Sequence, residues 1–200
     1  MSYINLNIAT AEALAVKLIS ENHGADVLAA QRPLEAIDQD DTILVKGTPY
    51  RDLAKGQAFC ASRVIFSKND AEILDFGHDA RLTLSPQQEQ YWRGFMSPEQ
   101  FDGVFGPRRN YDLEHKGWSM WLFTVANGGL LNSAKLVTAY AAILLQHAWG
   151  APTIDTRQLQ ATEIDGTWHV EIATAKQVST VLQISRMTGR VCRLASPPAL

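Results

Sequence analysis

Cysteine is scarce in this 200-residue chain, which contains only Cys60 and Cys192. Both lie in apolar segments predicted to be strands. Free cysteine behaves as a small hydrophobic residue, so we expect two buried structural thiols. Long apolar runs are also missing, since no stretch approaches the roughly 18 residues of a membrane span. The first residues show no basic region followed by the apolar stretch of a secretion signal. We therefore expect a soluble cytoplasmic protein that does not bind a membrane.

An excess of positive charge is absent as well. The chain has 18 basic and 21 acidic side chains, a net charge of −3, and no basic stripe that would neutralise a nucleic-acid backbone. The charge is uneven, because residues 1–80 contain 12 acidic and 7 basic side chains, whereas residues 131–200 contain 4 and 6. Binding to nucleic acid is therefore not expected, but the acidic first part can attract a basic protein.

Linear motifs for catalysis, metals and cofactors are missing too. The five histidines stand singly, with no His-Glu-x-x-His or Cys-x-x-Cys pattern, and the acidic residues at 38–41 lack the glycine and closing glutamate of a calcium loop. No Gly-x-Ser-x-Gly sequence and no phosphate-binding glycine loop occur, and Gly128 with Gly129 is predicted to form a tight turn. We therefore predict a protein that is not an enzyme, with no catalytic, cofactor-binding or metal-binding residues.

What the chain does contain is an internal repeat. An alanine-rich helical run that ends at Gly24 recurs before Gly150, at an offset of 126. The segment 41–45 is echoed by 166–170 at an offset of 125, and the serine and basic residue at 67–68 recur at 185–186 at an offset of 118. Loops tolerate changes of length whereas packed elements do not, so this drift is typical of two diverged copies of one unit. The composition, 46% apolar and 20% charged, is that of a globular protein.

Each copy is predicted to be a helix followed by an antiparallel four-stranded meander, which gives an α+β fold. In the first copy we predict a helix over 11–22, capped by Thr10 and ended by Gly24, then extended chain from Val27. Strands follow over 34–37, 42–46, 57–67 and 72–76, with a turn at 38–41 and a loop at 49–56. In the second copy we predict a helix over 133–149 and strands over 158–164, 167–173, 179–185 and 190–194.

The segment between the copies has a different composition. Nine of the chain's 17 aromatic residues lie within residues 78–132. Serine-proline steps at 85–86 and 97–98 are typical of helix starts. We predict one or two short helices and a strand, whose aromatic side chains pack against both copies. The predicted organisation is a first unit over 1–78, an aromatic-rich insert over 79–132 and a second unit over 133–200.

Residues 8–78 also resemble a known family in the order of their signals. The matching segments are Ala11-Glu12-Ala13-Leu14-Ala15, Gly24 with Asp26-Val27, Gln31-Arg32-Pro33-Leu34-Glu35-Ala36, Asp40-Asp41-Thr42-Ile43-Leu44-Val45-Lys46-Gly47-Thr48 and Val64-Ile65-Phe66-Ser67-Lys68-Asn69-Asp70-Ala71-Glu72-Ile73-Leu74. They resemble bacterial immunity proteins with a nuclear-transport-factor-2-like fold, which occur beside polymorphic toxins and secretion-system effectors. The second copy is a weaker echo of the same pattern.

This resemblance implies a non-enzymatic inhibitor that binds a cognate protein toxin acting in the cytoplasm and blocks its active site. A basic toxin, for example a nuclease, is the expected partner, because acidic side chains speed association with a basic protein. No cofactor is implied. The candidate partner-binding residues lie in the acidic part of the first unit and in the insert: Glu35, Asp38, Asp40, Asp41, Asp52, Arg108, Arg109, Tyr111 and Trp118.

Two other classes of function stay open. A curved sheet over a helix can enclose a pocket like that of the ketosteroid isomerases, so the chain could be a small-molecule-binding or isomerase-like cavity protein. The helix-plus-meander unit is also similar to PepSY and cystatin-like modules, which implies a peptidase regulator. A deep pocket with a carboxyl group of shifted pKa would favour the first alternative, and binding to a protease would favour the second.

Overall fold

A computed structural model of the chain describes residues 4–48, 50–52, 57–79, 90, 93–94, 97–98, 128–151, 153–173 and 178–197. The helices that lie wholly within these residues are α1 (Ile8–His23), α2 (Ala25–Ala30) and α3 (Ala134–Trp149), with a short 3-10 helix at Thr156–Gln158, and the isolated residues 90, 93 and 98 are also helical. The strands are β1 (Glu35–Gln39), β2 (Thr42–Lys46), β3 (Tyr50–Asp52), β4 (Gln57–Ser67), β5 (Ile73–Asp79), β6 (Leu159–Ile164), β7 (Thr167–Ala173), β8 (Val178–Ser185) and β9 (Val191–Leu194). The predicted α+β class is confirmed.

The strands form two antiparallel sheets, one in each half of the chain. In the first sheet β1 pairs with β2 and β2 with β4, while β5 pairs with β4 and β3 pairs with the first part of β4. In the second sheet the order is β6, β7, β8 and β9. Each half therefore contains a helix followed by an antiparallel meander, as the sequence predicts.

The two halves correspond in detail. Helices α1 and α3 are both 16 residues long and begin 126 residues apart. Asn7 caps α1 by accepting a hydrogen bond from the backbone N–H of Thr10 (2.8 Å), and Ser133 caps α3 in the same way. The β4–β5 ladder is irregular between Ile65 and Phe66, and the β8–β9 ladder is irregular at the equivalent place, 118 residues later. The repeat therefore extends to caps and strand irregularities.

A single hydrophobic core joins both halves. Strand β2 alternates, with Ile43 and Val45 fully buried and their neighbours half-buried, which places one face of the sheet against α1. Helix α1 packs against α3, and α3 packs against β6 and β7. The largest fully buried side chains come from both halves and include Leu14, Leu18, Phe66, Tyr140, Leu144 and Leu145.

The halves meet through a reciprocal set of contacts. The backbone N–H of Ile73 donates to the carbonyl of Thr188, and the N–H of Val191 donates to the carbonyl of Asp70, both at 2.8 Å. Val191 is the equivalent of Ile73, and Thr188 is the equivalent of Asp70, so each half uses the same turn to bind the other. Reciprocal contact of this kind is typical of the twofold interface of a homodimer, here within one chain.

The helix ends add a second, less symmetric pair of contacts. Near the end of α3, His147 Nε2 lies 3.0 Å from the carbonyl oxygen of Asn5, and its Nδ1 lies 3.1 Å from the hydroxyl of Thr10. At the opposite end, Glu21 of α1 forms an ion pair with Lys135 of α3 (3.5 Å). The two helices are therefore tied to each other at both ends.

Several sequence predictions are wrong in their details. The cap of α1 is Asn7 and not Thr10, which lies inside the helix. The chain after Gly24 forms the short helix α2 rather than extended structure, and part of the predicted loop at 49–56 is strand β3. Cys192 is an exposed free thiol, because it lies on the outward face of the short edge strand β9. The side chain of Cys60 and most of the predicted insert lie outside the described residues.

None of the helices in the described part of the chain has both the length and the apolar character needed to span a membrane.

Candidate functional site

The acidic residues predicted to bind a partner gather on the β1–β2 hairpin. Glu35 and Asp38 lie on β1, and Asp40 with Asp41 forms the two-residue turn between Gln39 and Thr42. All four are exposed. Asp40 has a φ of 45°, a left-handed conformation that aspartate tolerates better than most residues. We call these four residues, Glu35, Asp38, Asp40 and Asp41, the acidic hairpin.

Two of the four carboxylates are neutralised by lysines of the same unit. Glu35 pairs with Lys46, its cross-strand neighbour, at 3.0 Å. Lys68 forms an ion pair with Asp38 and also donates to the backbone carbonyl of Asp40. These contacts fix the hairpin against the end of β4. The carboxylates of Asp40 and Asp41 have no ion pair or hydrogen bond with any described residue.

The second unit shows which of these contacts belong to the fold. Glu163, the equivalent of Asp38, forms an ion pair with Arg186, the equivalent of Lys68, at 2.8 Å. The backbone N–H of Lys68 donates to the backbone carbonyl of Asp41, and that of Arg186 donates to the backbone carbonyl of Gly166, both at 2.9 Å. The paired side chain of Asp38 thus has a structural role, because the fold repeats it. Asp41 has no acidic equivalent, since glycine occupies that position.

No contact between the described residues joins the remaining predicted partner-binding residues to the acidic hairpin. The backbone of Asp52 lies in β3 and pairs with Gln57, but its side chain is outside the described residues. Four other candidates, Arg108, Arg109, Tyr111 and Trp118, also lie outside the described residues. Their partner-binding role stays a prediction.

A buried polar cluster in the first unit joins a serine to a histidine. Ser62 Oγ lies 2.8 Å from His23 Nδ1 and accepts a hydrogen bond from Gln31 Nε2 at 2.9 Å, while the backbone N–H of Ser62 donates to Gln31 Oε1 at 2.6 Å. The His23 ring stacks on Phe76 with its centroid 4.8 Å away. A serine and a histidine at this distance can form a nucleophile and base. However, Ser62 and Gln31 are fully buried, so the cluster fastens α1 and the segment after α2 to β4.

The described titratable groups with shifted pKa values do not form an acid–base pair. Burial raises the pKa of Tyr140, whose hydroxyl lies 3.5 Å from the carbonyl oxygen of Ala71. The hydrogen bond from the Arg157 side chain holds the pKa of Asp155 below its usual range, and this pair lies on the surface. Among the residues that the structure describes, no group of three or more His, Cys, Asp or Glu side chains is arranged to bind a metal ion.

A feature that the sequence analysis missed lies on the outward face of the first sheet. Ile37, Leu44 and Ile65 are cross-strand neighbours on β1, β2 and β4, all half-buried and all on the face opposite the core. We call them the aliphatic row. The signal was present in the sequence, because Ile43-Leu44-Val45 and Val64-Ile65-Phe66 are apolar on both faces of a strand.

Gly128 and Gly129 form the predicted turn rather than a ligand cradle. Their φ angles are 67° and 112°, and a Cβ atom at Gly129 would lie 2.9 Å from the carbonyl carbon of Arg186. Glycine is therefore required here by the close approach of two backbone segments.

In comparisons with known proteins, the chain matches no protein-family model and has no significant match to a curated protein or a solved structure.

Proposed function

We propose that this chain is a non-enzymatic immunity protein that binds a basic protein toxin acting in the cytoplasm and blocks its active site. The proposal rests on one observation above all: at the tip of a fixed hairpin, Asp40 and Asp41 present two exposed carboxylates that form no ion pair with any described residue. The resemblance of residues 8–78 to immunity proteins suggests the kind of partner.

The residues around the acidic hairpin favour contact with the cationic side chains of a partner protein. Lys68 holds both Asp38 and the backbone of Asp40, so the tip does not need to be ordered when a partner arrives. The first 80 residues carry 12 acidic and 7 basic side chains, which adds a longer-range negative field. An enzyme whose active site binds an anionic substrate, such as a nuclease, presents the complementary positive charge.

The test is capture of the partner with a variant that removes only the tip charges. Tagged wild-type protein and the Asp40→Asn/Asp41→Asn variant are incubated with extract of the native host, and the bound proteins are identified by mass spectrometry. Asparagine keeps the left-handed conformation accessible at residue 40. Asp165→Asn is the matched control, because Asp165 occupies the equivalent turn of the second unit with a φ of 49°.

We expect wild-type protein and the control to capture one stoichiometric basic protein, and the tip variant to associate with it about tenfold more slowly at low salt. The difference should shrink at high salt, since exposed charges are screened. Expression of the captured protein alone should arrest growth, and co-expression of wild-type protein should restore it. A captured partner that is not toxic, or no partner at low salt, would contradict the proposal.

A further inference from the structure

The outward faces of the two sheets differ in chemistry although they match in structure. At the positions of the aliphatic row, the second unit has Thr162, His169 and Gln183, which are cross-strand neighbours in the same register. His169 and Gln183 lie within hydrogen-bond distance of each other (3.3 Å). A polar outward face is thus compatible with this meander, and the fold does not require Ile37, Leu44 and Ile65 to be apolar.

Charged side chains border the aliphatic row on its sides. The next row along the strands contains the Glu35–Lys46 ion pair, and Arg63 of β4 forms an ion pair with Asp75 of β5. Beyond the opposite side lies the tip of the acidic hairpin, separated from the row by Gln39 and Thr42. The row is therefore an apolar centre with a charged rim, which is the arrangement of protein–protein interfaces.

The aliphatic row and the acidic hairpin belong to the same strands and so to one continuous surface. Ile37 lies on β1 three residues before Asp40, and Leu44 lies on β2 three residues after Asp41. The balanced ion pairs beside the row add no net charge, whereas the tip adds two negative charges. A complementary partner therefore presents an apolar side chain to the row and cations to the tip.

We propose that the aliphatic row is the apolar centre of the toxin-binding surface, with the acidic hairpin as its charged edge. This inference rests on the proposed function and adds the location and chemistry of the contact. The partner is a basic protein that places an aliphatic or aromatic side chain on the row, next to the cationic side chains that contact the hairpin tip. Burial of such a side chain slows dissociation, whereas the hairpin tip speeds association.

The test replaces two of the three residues of the row by their equivalents in the second unit. The Leu44→His/Ile65→Gln variant is compared with wild-type protein in binding the partner purified from the capture experiment, by calorimetry at low and high salt. His169→Ala/Gln183→Ala is the control on the equivalent face of the second unit. Circular dichroism and thermal unfolding show whether each variant is folded, and Ile65→Thr, which keeps a β-branched side chain, is the second variant.

We expect the row variant to weaken binding by about 30-fold or more, as for loss of an interface anchor, with the same factor at both salt concentrations. The control should bind like wild type. Unchanged affinity in the folded row variants would overturn this inference and leave the proposed function standing, whereas absence of any partner for wild-type protein would overturn both. Self-association of wild-type protein that the row variants abolish would identify the row as a dimer surface and also overturn the inference.

Discussion

Ser62 is a residue on which three segments of the first unit converge. Its hydroxyl lies within hydrogen-bond distance of His23 in α1 and of Gln31 after α2, and its backbone N–H donates to the side-chain oxygen Oε1 of Gln31. Sequence reasoning did not find this cluster, because Ser62 lies 39 residues from His23 and 31 residues from Gln31, and no catalytic motif links them. Only the folded chain brings them together.

We expect Ser62→Ala to lower the free energy of unfolding by about 1 to 3 kcal/mol, because it removes the hydroxyl that accepts a hydrogen bond from the buried side chain of Gln31. Urea unfolding followed by circular dichroism measures the change. Ser179→Ala, at the position of the second unit that is equivalent once the register shift in β8 is counted, should change it by less than about 0.5 kcal/mol. Equal effects of the two substitutions would show that the cluster does not stabilise the first unit.

At the scale of elements, sequence patterns predicted lengths and order well where local chemistry decides them. Strands β2, β4 and β7 have the predicted bounds, since short β-branched or apolar runs are ended by turns. Helix α2 was missed because it is only six residues long and its cap, Gly24, also ends α1. The acidic hairpin was predicted as a site, but its division into paired and unpaired carboxylates depends on Lys46 and Lys68, which the turn sequence does not reveal.

Tyr140 fixes helix α3 against the turn between β4 and β5, and it gives a prediction about pH. Burial raises the pKa of its hydroxyl above the ordinary value of 10.0. Above that pH the unfolded chain loses the tyrosine proton while the folded protein keeps it. The folded state therefore loses stability relative to the unfolded state as pH rises.

We expect the free energy of unfolding of both proteins to change between about pH 10 and 11, and to fall more steeply for wild-type protein than for Tyr140→Phe. The difference between the two slopes should reach up to about 1.4 kcal/mol per pH unit. Other groups titrate in both proteins, so the difference between the two slopes isolates Tyr140. Urea unfolding at a series of pH values measures it. Parallel slopes would mean that the hydroxyl is not buried in the folded protein.

At the scale of the whole molecule, the repeat was visible in the sequence but the joining of its copies was not. The offsets of 126, 125 and 118 predicted two similar units. They gave no sign that the turns at Asp70 and Thr188 bind each other reciprocally, because such contacts depend on how the two units face each other. The division of the chain into two units and an insert describes its sequence, whereas the hydrophobic core continues across both units.

If the core is shared, a destabilising substitution in the core of one unit also destabilises the other unit. Leu18 of α1 and Leu144 of α3 are equivalent and fully buried. All five tryptophans lie outside the first unit, and two of them, Trp149 and Trp168, belong to the second. Tryptophan fluorescence therefore follows the second unit and the insert, not the unit that contains Leu18.

The decisive measurement is urea unfolding of Leu18→Ala followed by tryptophan fluorescence, with Leu144→Ala as the matched variant. If the units share one core, Leu18→Ala lowers the free energy of unfolding seen by fluorescence by about 2 to 5 kcal/mol, as much as Leu144→Ala does, in a single transition that coincides with circular dichroism. The contrary result is that Leu18→Ala leaves the fluorescence transition at the same urea concentration as in wild-type protein, while circular dichroism shows unfolding at a lower concentration. The two units would then fold independently, which would contradict the shared core.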